Sequence, residues 1–427
     1  MTDDATLSAA ERSVLGHLDE EVLVEQLAEL VRIPSVGGTD AELEVQEYVA
    51  GALRDLDTDV DRWDIDLEEM AGDPWFPGVE VDRTAAVGVV GTTAGDGVPG
   101  LVLSGHTDVV PPGHVETWHG QDPFSAEIFD GALYGRGACD MKAGVAVNLA
   151  VLRTLRAAGV PLERPLAVHS VVGEEDGGLG AFATLRRGHR GDVAVITEPT
   201  SAKIVTATAG ALTFRIEVVG RSAHGSMRKQ GISALEAFLP IHAALMALEA
   251  ERNRDIDREF VSELPYALSF GMVHTGDWSS SVPDKLVADG RFGVKIDEDP
   301  RLARTVFEDV VAEVALKDPW LHENRPVVTW PGGQFASGRL DDDHPLIGEM
   351  AAAVDAAGGM PHPPTVAGVY GSDMRLYTGV GGIPTLHYGP GDMSWAHAPL
   401  ERVELSELVQ VARALVVLAL RRCAAPA

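Results

Sequence analysis

Three apolar runs in this chain each stop abruptly at a loop rich in acidic side chains, and that recurrence constrains the fold more than any other feature. Leu101-Val102-Leu103 reads as a buried strand and ends in Ser104-Gly105-His106-Thr107-Asp108. Leu166 to Val172 runs into Gly173-Glu174-Glu175-Asp176-Gly177-Gly178, and Val193 to Ile196 runs into Thr197-Glu198-Pro199-Thr200. In open α/β sheets, sites form beyond the carboxyl ends of strands, because loops converge there without disturbing the core. Between the first two runs, Lys142 to Ala158 is rich in Ala, Leu and Val and closes with Gly159 and Pro161, which predicts a helix with an ordinary stop. Strands alternating with helices predict a βαβ sheet whose acidic loops share one edge.

The pattern changes after residue 208. Leu212, Phe214, Ile216 and Val218 alternate with Thr213, Arg215 and Glu217, the period of a strand with one wet face. A helical stretch follows over 231–252, then strand-like segments at 266–273 and 286–296, a helix over 300–316 and the short run Pro326 to Trp330. That order is β-α-β-β-α-β, a split βαβ sandwich. From Pro345 the chain returns to helix and strand, so residues 209–331 are predicted to be an insertion between two parts of one domain, 1–208 and 332–427. A length of 427 residues suits two cores better than one. Nearer the start, Leu23, Leu27, Leu30 and Val31 lie at helical spacing before Pro34, residues 39–57 suggest a second helix, and 91–100 reads as a turn into the Leu101 strand.

Composition narrows the partners. A formal net charge of -31 argues against nucleic acid and anionic membranes, which need clustered Lys and Arg. No segment approaches the eighteen or so apolar residues of a membrane span, and Ala414 to Leu420 reads as a core helix segment. The acidic start MTDDATLSAAERS carries no secretory pattern, and Cys139 and Cys423 lie too far apart to suggest a disulfide framework, so a cytoplasmic protein is expected.

The strand-end loops and a downstream segment offer His106, Asp108, Asp140, Glu174, Glu175, Glu198 and His397. Two histidines with several carboxylates and no paired cysteines suit a hydrolytic Zn²⁺ site, dinuclear in its ligand count, with Co²⁺ or Mn²⁺ as substitutes. His114, His119, His169 and His387 lie near these motifs but read as packing or supporting hydrogen bonds. No Gly-x-Ser-x-Gly elbow supports a serine hydrolase.

HTDVVPPG, YGRGACDMKAG, the GEED segment, ITEPT, GRSAHGS and YGPGDMSWAHAPLERV together resemble, in order and over nearly the whole chain, the metallopeptidase family of acetylornithine deacetylase, succinyl-diaminopimelate desuccinylase, aminoacylase and carboxypeptidase G. The resemblance implies a zinc-peptidase-like catalytic domain, its mixed sheet flanked by helices, with an inserted α+β ferredoxin-like lid and dimerisation domain over 209–331. It implies two Zn²⁺ per subunit: His106, Asp140 and Glu198 on one, Asp140, Glu175 and His397 on the other, with Asp108 orienting His106. Glu174 would be the general base. His224 would reach a partner subunit's site and hydrogen-bond the developing oxyanion, which implies a homodimer. Arg291, Gly371 and Ser372 match segments that contact substrate, although Ser281 stands where the family often has Asn.

The resulting expectation is a metal-dependent amidohydrolase removing the acyl group from an N-acylated amino acid or related small amine. The Glu at 198, rather than Asp, resembles the deacylase members more than the aminotripeptidase type. A dipeptidase or carboxypeptidase on the same site is the alternative. A non-catalytic small-molecule binding protein of the same fold is an alternative of another class, although binding alone would not require Glu174 beside an intact ligand set.

Overall fold

The computed structural model describes residues 6–256 and 258–425. Its contacts divide the chain into two compact units, one of residues up to 207 with 339–366 and 373 onward, the other of 208–338 with 367–372. The expected insertion, 209–331, lies inside the second unit, which runs on to Gly338 and also takes in 367–372.

In the first unit the strands lie in the order Asp59–Asp64, Val87–Thr92, Leu166–Val171, Leu101–His106, Ala194–Ile196, Thr385–His387 and Ile204–Thr208. The four from Leu166–Val171 to Thr385–His387 run parallel, and their neighbours on either side are antiparallel, so this is an α/β fold on a mixed sheet. Both faces are covered. Leu101, Leu103, Leu166, Val168 and Val195 pack with helices Glu20–Arg32, Ala143–Ala157 and Leu405–Cys423, whereas Val102, Ala167, Val171, Ala194 and Ile196 meet Phe182, Leu185, Tyr377 and Ile383. Strands buried on two faces send apolar side chains to both, which is why these runs are mostly continuous rather than alternating, with Ser104, His169 and Ser170 among the buried polar exceptions. Each fully buried Leu or Val contributes about 1.5–3 kcal/mol of transfer free energy.

Local signals set the helix ends. Asp19 caps the first of these helices by accepting the Val22 N–H at 3.0 Å, and the chain leaves helical geometry at Ile33, ahead of Pro34. The Ala414 to Leu420 run lies in helix Leu405–Cys423, with all but Leu420 among its buried residues. Among the described residues, no helix is long and apolar enough to cross a membrane.

The second unit follows β-α-β-β-α-β. Strands Gly210–Val219, Leu268–Thr275, Lys285–Val294 and Val327–Thr329 alternate in chain order with helices Ala234–Arg252 and Pro300–Lys317. The second strand pairs with the third, the third with the first and the first with the fourth, all antiparallel. Leu212, Phe214, Ile216 and Val218 are buried against Phe292 and Phe307, while Thr213, Arg215 and Glu217 are only half-buried. Arg215 and Asp289 face each other in register and pair at 2.6 Å. The helix expected from 231 begins at Ala234, because Ser233 caps it by accepting the Glu236 N–H.

Candidate metal centre

The first unit gathers every expected ligand at the carboxyl edge of its parallel strands. His106 is the last residue of Leu101–His106 and is buried. Its Nδ1 lies 3.0 Å from the Asp108 carbonyl oxygen, and since a carbonyl only accepts, Nδ1 carries the proton. The lone pair of the neutral ring is therefore on Nε2, which faces Asp140 Oδ1 at 3.1 Å and Glu198 Oε1 at 3.7 Å.

Asp108 contacts His106 through its main chain. Its backbone carbonyl makes the contact, while its carboxylate stands 3.7 Å from Nδ1. The carboxylate instead accepts the backbone N–H groups of Glu174 at 3.3 Å and Glu175 at 3.1 Å. It therefore ties the His106 loop to the two-glutamate loop.

That second loop follows strand Leu166–Val171 and turns through Gly173, Gly177 and Gly178, all at positive φ. At Gly177 a Cβ would lie 2.1 Å from the Gly78 carbonyl oxygen, so only glycine fits there. The side chain of Glu174 is buried and that of Glu175 nearly so. Glu198 follows strand Ala194–Ile196, and its neighbour Thr197 is held by its N–H to the Ser104 carbonyl at 3.0 Å. His397 is the exception to burial, with its side chain 54% exposed, and its Nε2 lies 2.9 Å from Glu175 Oε2 and 3.6 Å from Asp140 Oδ2.

Among the described residues, two groupings bring ligand atoms within 4.8 Å of one another: His106 with Asp140 and Glu175, and His106 with Glu174 and Glu198. Neither coincides with an expected set: the first has His106 in place of His397 beside Asp140 and Glu175, and the second has Glu174 in place of Asp140 beside His106 and Glu198. Burial raises Glu174 well above the usual carboxylate range, reinforced by Asp373, Glu198 and Glu175. Burial raises Glu198 likewise, with repulsion from Asp140 and Glu175. Glu175 holds His397 in its charged form up to about 9. Glu175 Oε1 is buried with no hydrogen-bond partner. Crowded, buried carboxylates with an orphaned oxygen and an imidazole lone pair turned toward them are a donor set that divalent cations would satisfy, so the residues fit a hydrolytic metal site.

Glu401, with its partner Arg136, was not expected among the contributors. Glu401 is fully buried, and its Oε1 accepts the N–H groups of Cys139 and Asp140, each at 3.0 Å. Its Oε2 pairs with Arg136, whose Nη2 donates to the His397 carbonyl at 3.3 Å. One ion pair thus holds the Asp140 and His397 segments together. Asp373 is buried with Oδ1 lacking a hydrogen-bond partner, and burial pushes its carboxyl up to about 6. Glu401 lies inside the AHAPLERV segment and Arg136 inside GRGACDMK, so the clue was a charged residue within each ligand motif.

The remaining expected site residues belong to the second unit. His224 is exposed on a two-residue strand paired with Ser281-Val282, and its Nδ1 accepts the Ser226 N–H at 3.2 Å. Its Nε2 is then the protonated nitrogen of the neutral ring, a hydrogen-bond donor. Arg291 donates through Nη2 to the Val369 carbonyl at 3.0 Å. Ser372 Oγ lies 3.3 Å from Thr208 Oγ1, and Gly371 packs so tightly on Phe335 that a Cβ would stand 2.6 Å from that ring's own Cβ.

The family model for peptidase family M20/M25/M40 matches residues 102–421, three-quarters of the chain and every metal-centre residue described above. The chain belongs to that family. As an M20 protein it is a hydrolase acting on amide bonds, peptidase and deacylase being the family's activities. Its relatives include an N-formyl-4-amino-5-aminomethyl-2-methylpyrimidine deformylase of Bacillus subtilis, 27% identical with 95% of each chain covered. An acetylornithine deacetylase of Proteus mirabilis is 29% identical, with 74% of this chain and 77% of the relative covered. The fold also matches that of a dipeptidase from Saccharomyces cerevisiae, with a TM-score of 0.76 at 13% identity, covering 96% of this chain and 98% of the other.

Proposed function

We propose that this M20 hydrolase is a dinuclear metal-dependent N-deacylase that removes a small acyl group, formyl or acetyl, from a small amine or amino acid. The observation that carries this reading is Glu174, buried beside His106 and Glu198 and anchored through its own backbone to Asp108. His106, Asp140 and Glu198 would hold one Zn²⁺ and Asp140, Glu175 and His397 the other, with Co²⁺ or Mn²⁺ as substitutes. Bound there, the two ions supply Lewis-acid polarisation of the scissile carbonyl and a lowered pKa for the attacking water.

Glu174 then takes a proton from that water as its oxygen bonds to the acyl carbon, and delivers the proton to nitrogen as the C–N bond breaks. The products are a carboxylate and a free amine. Glu175, one residue on, is committed to the ligand set, which explains two adjacent glutamates. His224 donates its Nε2 hydrogen to the developing oxyanion from a partner subunit, and Arg291, Gly371 and Ser372 contact substrate. These roles call for a homodimer built through the ferredoxin-like lid of residues 209–331. The enzyme works in the cytoplasm.

The named deformylase and deacetylase relatives, aligned over 95% and 74% of this chain, support a deacylase over a dipeptidase. The test is a panel of N-formyl, N-acetyl and N-succinyl amines and amino acids, with dipeptides alongside, offered to zinc-loaded protein. An N-formyl or N-acetyl compound is expected to lead the dipeptides by at least about tenfold in kcat/KM, a margin that pocket contacts supply. A dipeptide in first place would assign the chain to the dipeptidase alternative instead.

A further inference from the structure

We infer that Arg83 is a positioning residue for the amide-cleaving site, holding the Glu174-Glu175 loop in register with Asp108. The inference rests on the deacylase reading for its activity readout, and on geometry for the rest. Arg83 lies outside every ligand motif, yet its guanidinium is buried between two carboxylates. The side chains of Arg83, Glu42 and Asp176 are 3%, 4% and 6% exposed.

All of its donor nitrogens are engaged. Nε and Nη2 reach Glu42 at 2.9 Å, and Nη1 and Nη2 reach Asp176 at 2.8 Å. Asp176 is the residue after Glu174-Glu175, and its Oδ2 also accepts the N–H groups of Glu80 and Val81 at 3.0 Å. Segment 80–83 is thereby strapped to the glutamate loop. At Gly173, immediately before Glu174, a Cβ would lie 3.2 Å from Arg83 Nη2, so the guanidinium lies against the loop's entry as well.

On the other side, Glu42 Oε2 accepts the Gly38 N–H at 2.7 Å. The neighbouring Gly37 N–H donates to the Val109 carbonyl, the Val109 N–H to the Ser35 carbonyl, and Ser35 Oγ to the Thr107 carbonyl at 2.6 Å. Both residues flanking Asp108 are thus bonded to segment 35–38. Asp108 in turn accepts the Glu174 and Glu175 N–H groups. The contacts close into a ring: Arg83, Asp176, the glutamate pair, Asp108, segment 35–38, Glu42 and back to Arg83.

The ring's geometry depends on a planar fork that serves two carboxylates at once. A lysine ammonium is a point charge on a flexible stem and cannot reproduce both sides. Loosening the ring would let Glu174 shift against the bond it serves, and a misplacement of about 1 Å can cost about 100-fold in rate. A buried ion triad with a purely structural role would instead lower stability and leave turnover of the folded enzyme alone.

The experiment compares wild type, Arg83→Lys and Asp176→Asn at saturating Zn²⁺, measuring kcat and KM on the best compound of the N-acyl panel, and deuterium uptake of the peptide spanning 172–179. The expected result for both variants is a kcat at least about tenfold lower, KM within about twofold, full zinc content and faster uptake in that peptide. Should Arg83→Lys fail to fold, Asp176→Asn decides. Unchanged kcat per zinc-loaded site with unchanged uptake, whatever happens to the melting temperature, overturns the inference. An inactive wild type would sink the deacylase reading alone, and deuterium uptake would then decide the role of Arg83.

Discussion

Glu174→Gln is expected to lower kcat on the best N-acyl substrate by about 10²–10⁴-fold, the usual contribution of a positioned general base, with zinc content unchanged. Gln preserves the shape and the backbone bond to Asp108, so the loss isolates proton transfer. The prediction discriminates between Glu174 and Glu175. Glu175 pairs with His397 at 2.9 Å and clusters with His106 and Asp140, so its replacement should cost zinc as well as turnover. Turnover of Glu174→Gln equal to wild type would remove the base from the mechanism. Retention of ligand binding without any turnover in wild type would favour the non-catalytic binding protein.

The second large effect is expected at Glu401. Its carboxylate compensates the buried Arg136 guanidinium and accepts two backbone N–H groups, one of them from Asp140. Glu401→Gln removes the charge and leaves the buried Arg136 guanidinium without its charged partner. Breaking a buried pair on one side typically costs about 3–5 kcal/mol, a large share of the roughly 5–15 kcal/mol that holds a domain folded. Urea unfolding of the zinc-free protein should show that loss. Adding Arg136→Met to Glu401→Gln should recover part of it, because the uncompensated charge is then gone. A loss below about 1 kcal/mol would mean that the pair is not the clasp between the Asp140 and His397 segments.

The parts of the fold that were legible in the sequence are those where one physical requirement acts on every residue. The parallel strands are buried on both faces and read as largely apolar runs; Gly210–Val219 packs one face and alternates. Two neighbouring strands escaped. Val87–Thr92 contains glycines because Gly88 lies under Trp63 and Gly91 against Leu53, where a Cβ would come within 2.2 Å and 2.7 Å, and its last two residues were read into the turn at 91–100. Asp59–Asp64 is an edge strand, exposed or half-buried throughout, and carries no apolar period.

The candidate ligands were legible because each follows a strand end or sits in a dense motif. Their supports were not, because they act across long sequence gaps. Glu401 meets Arg136 across 265 residues and Arg83 meets Asp176 across 93, and no local pattern announces such a pairing. Asp108 was expected to orient His106, and it is its backbone carbonyl that takes the imidazole N–H while the carboxylate bonds the glutamate loop. A motif can name the residue and leave open which of its atoms acts.

The central claim is that hydrolysis depends on two metal ions held by His106, Asp140, Glu175, Glu198 and His397. The most direct measurement titrates metal-stripped protein with Zn²⁺ and follows hydrolysis of the best N-acyl substrate against equivalents added. The account predicts no turnover in the stripped protein and a rise that saturates at two equivalents per chain. Full turnover without metal, or saturation at one equivalent, would contradict it.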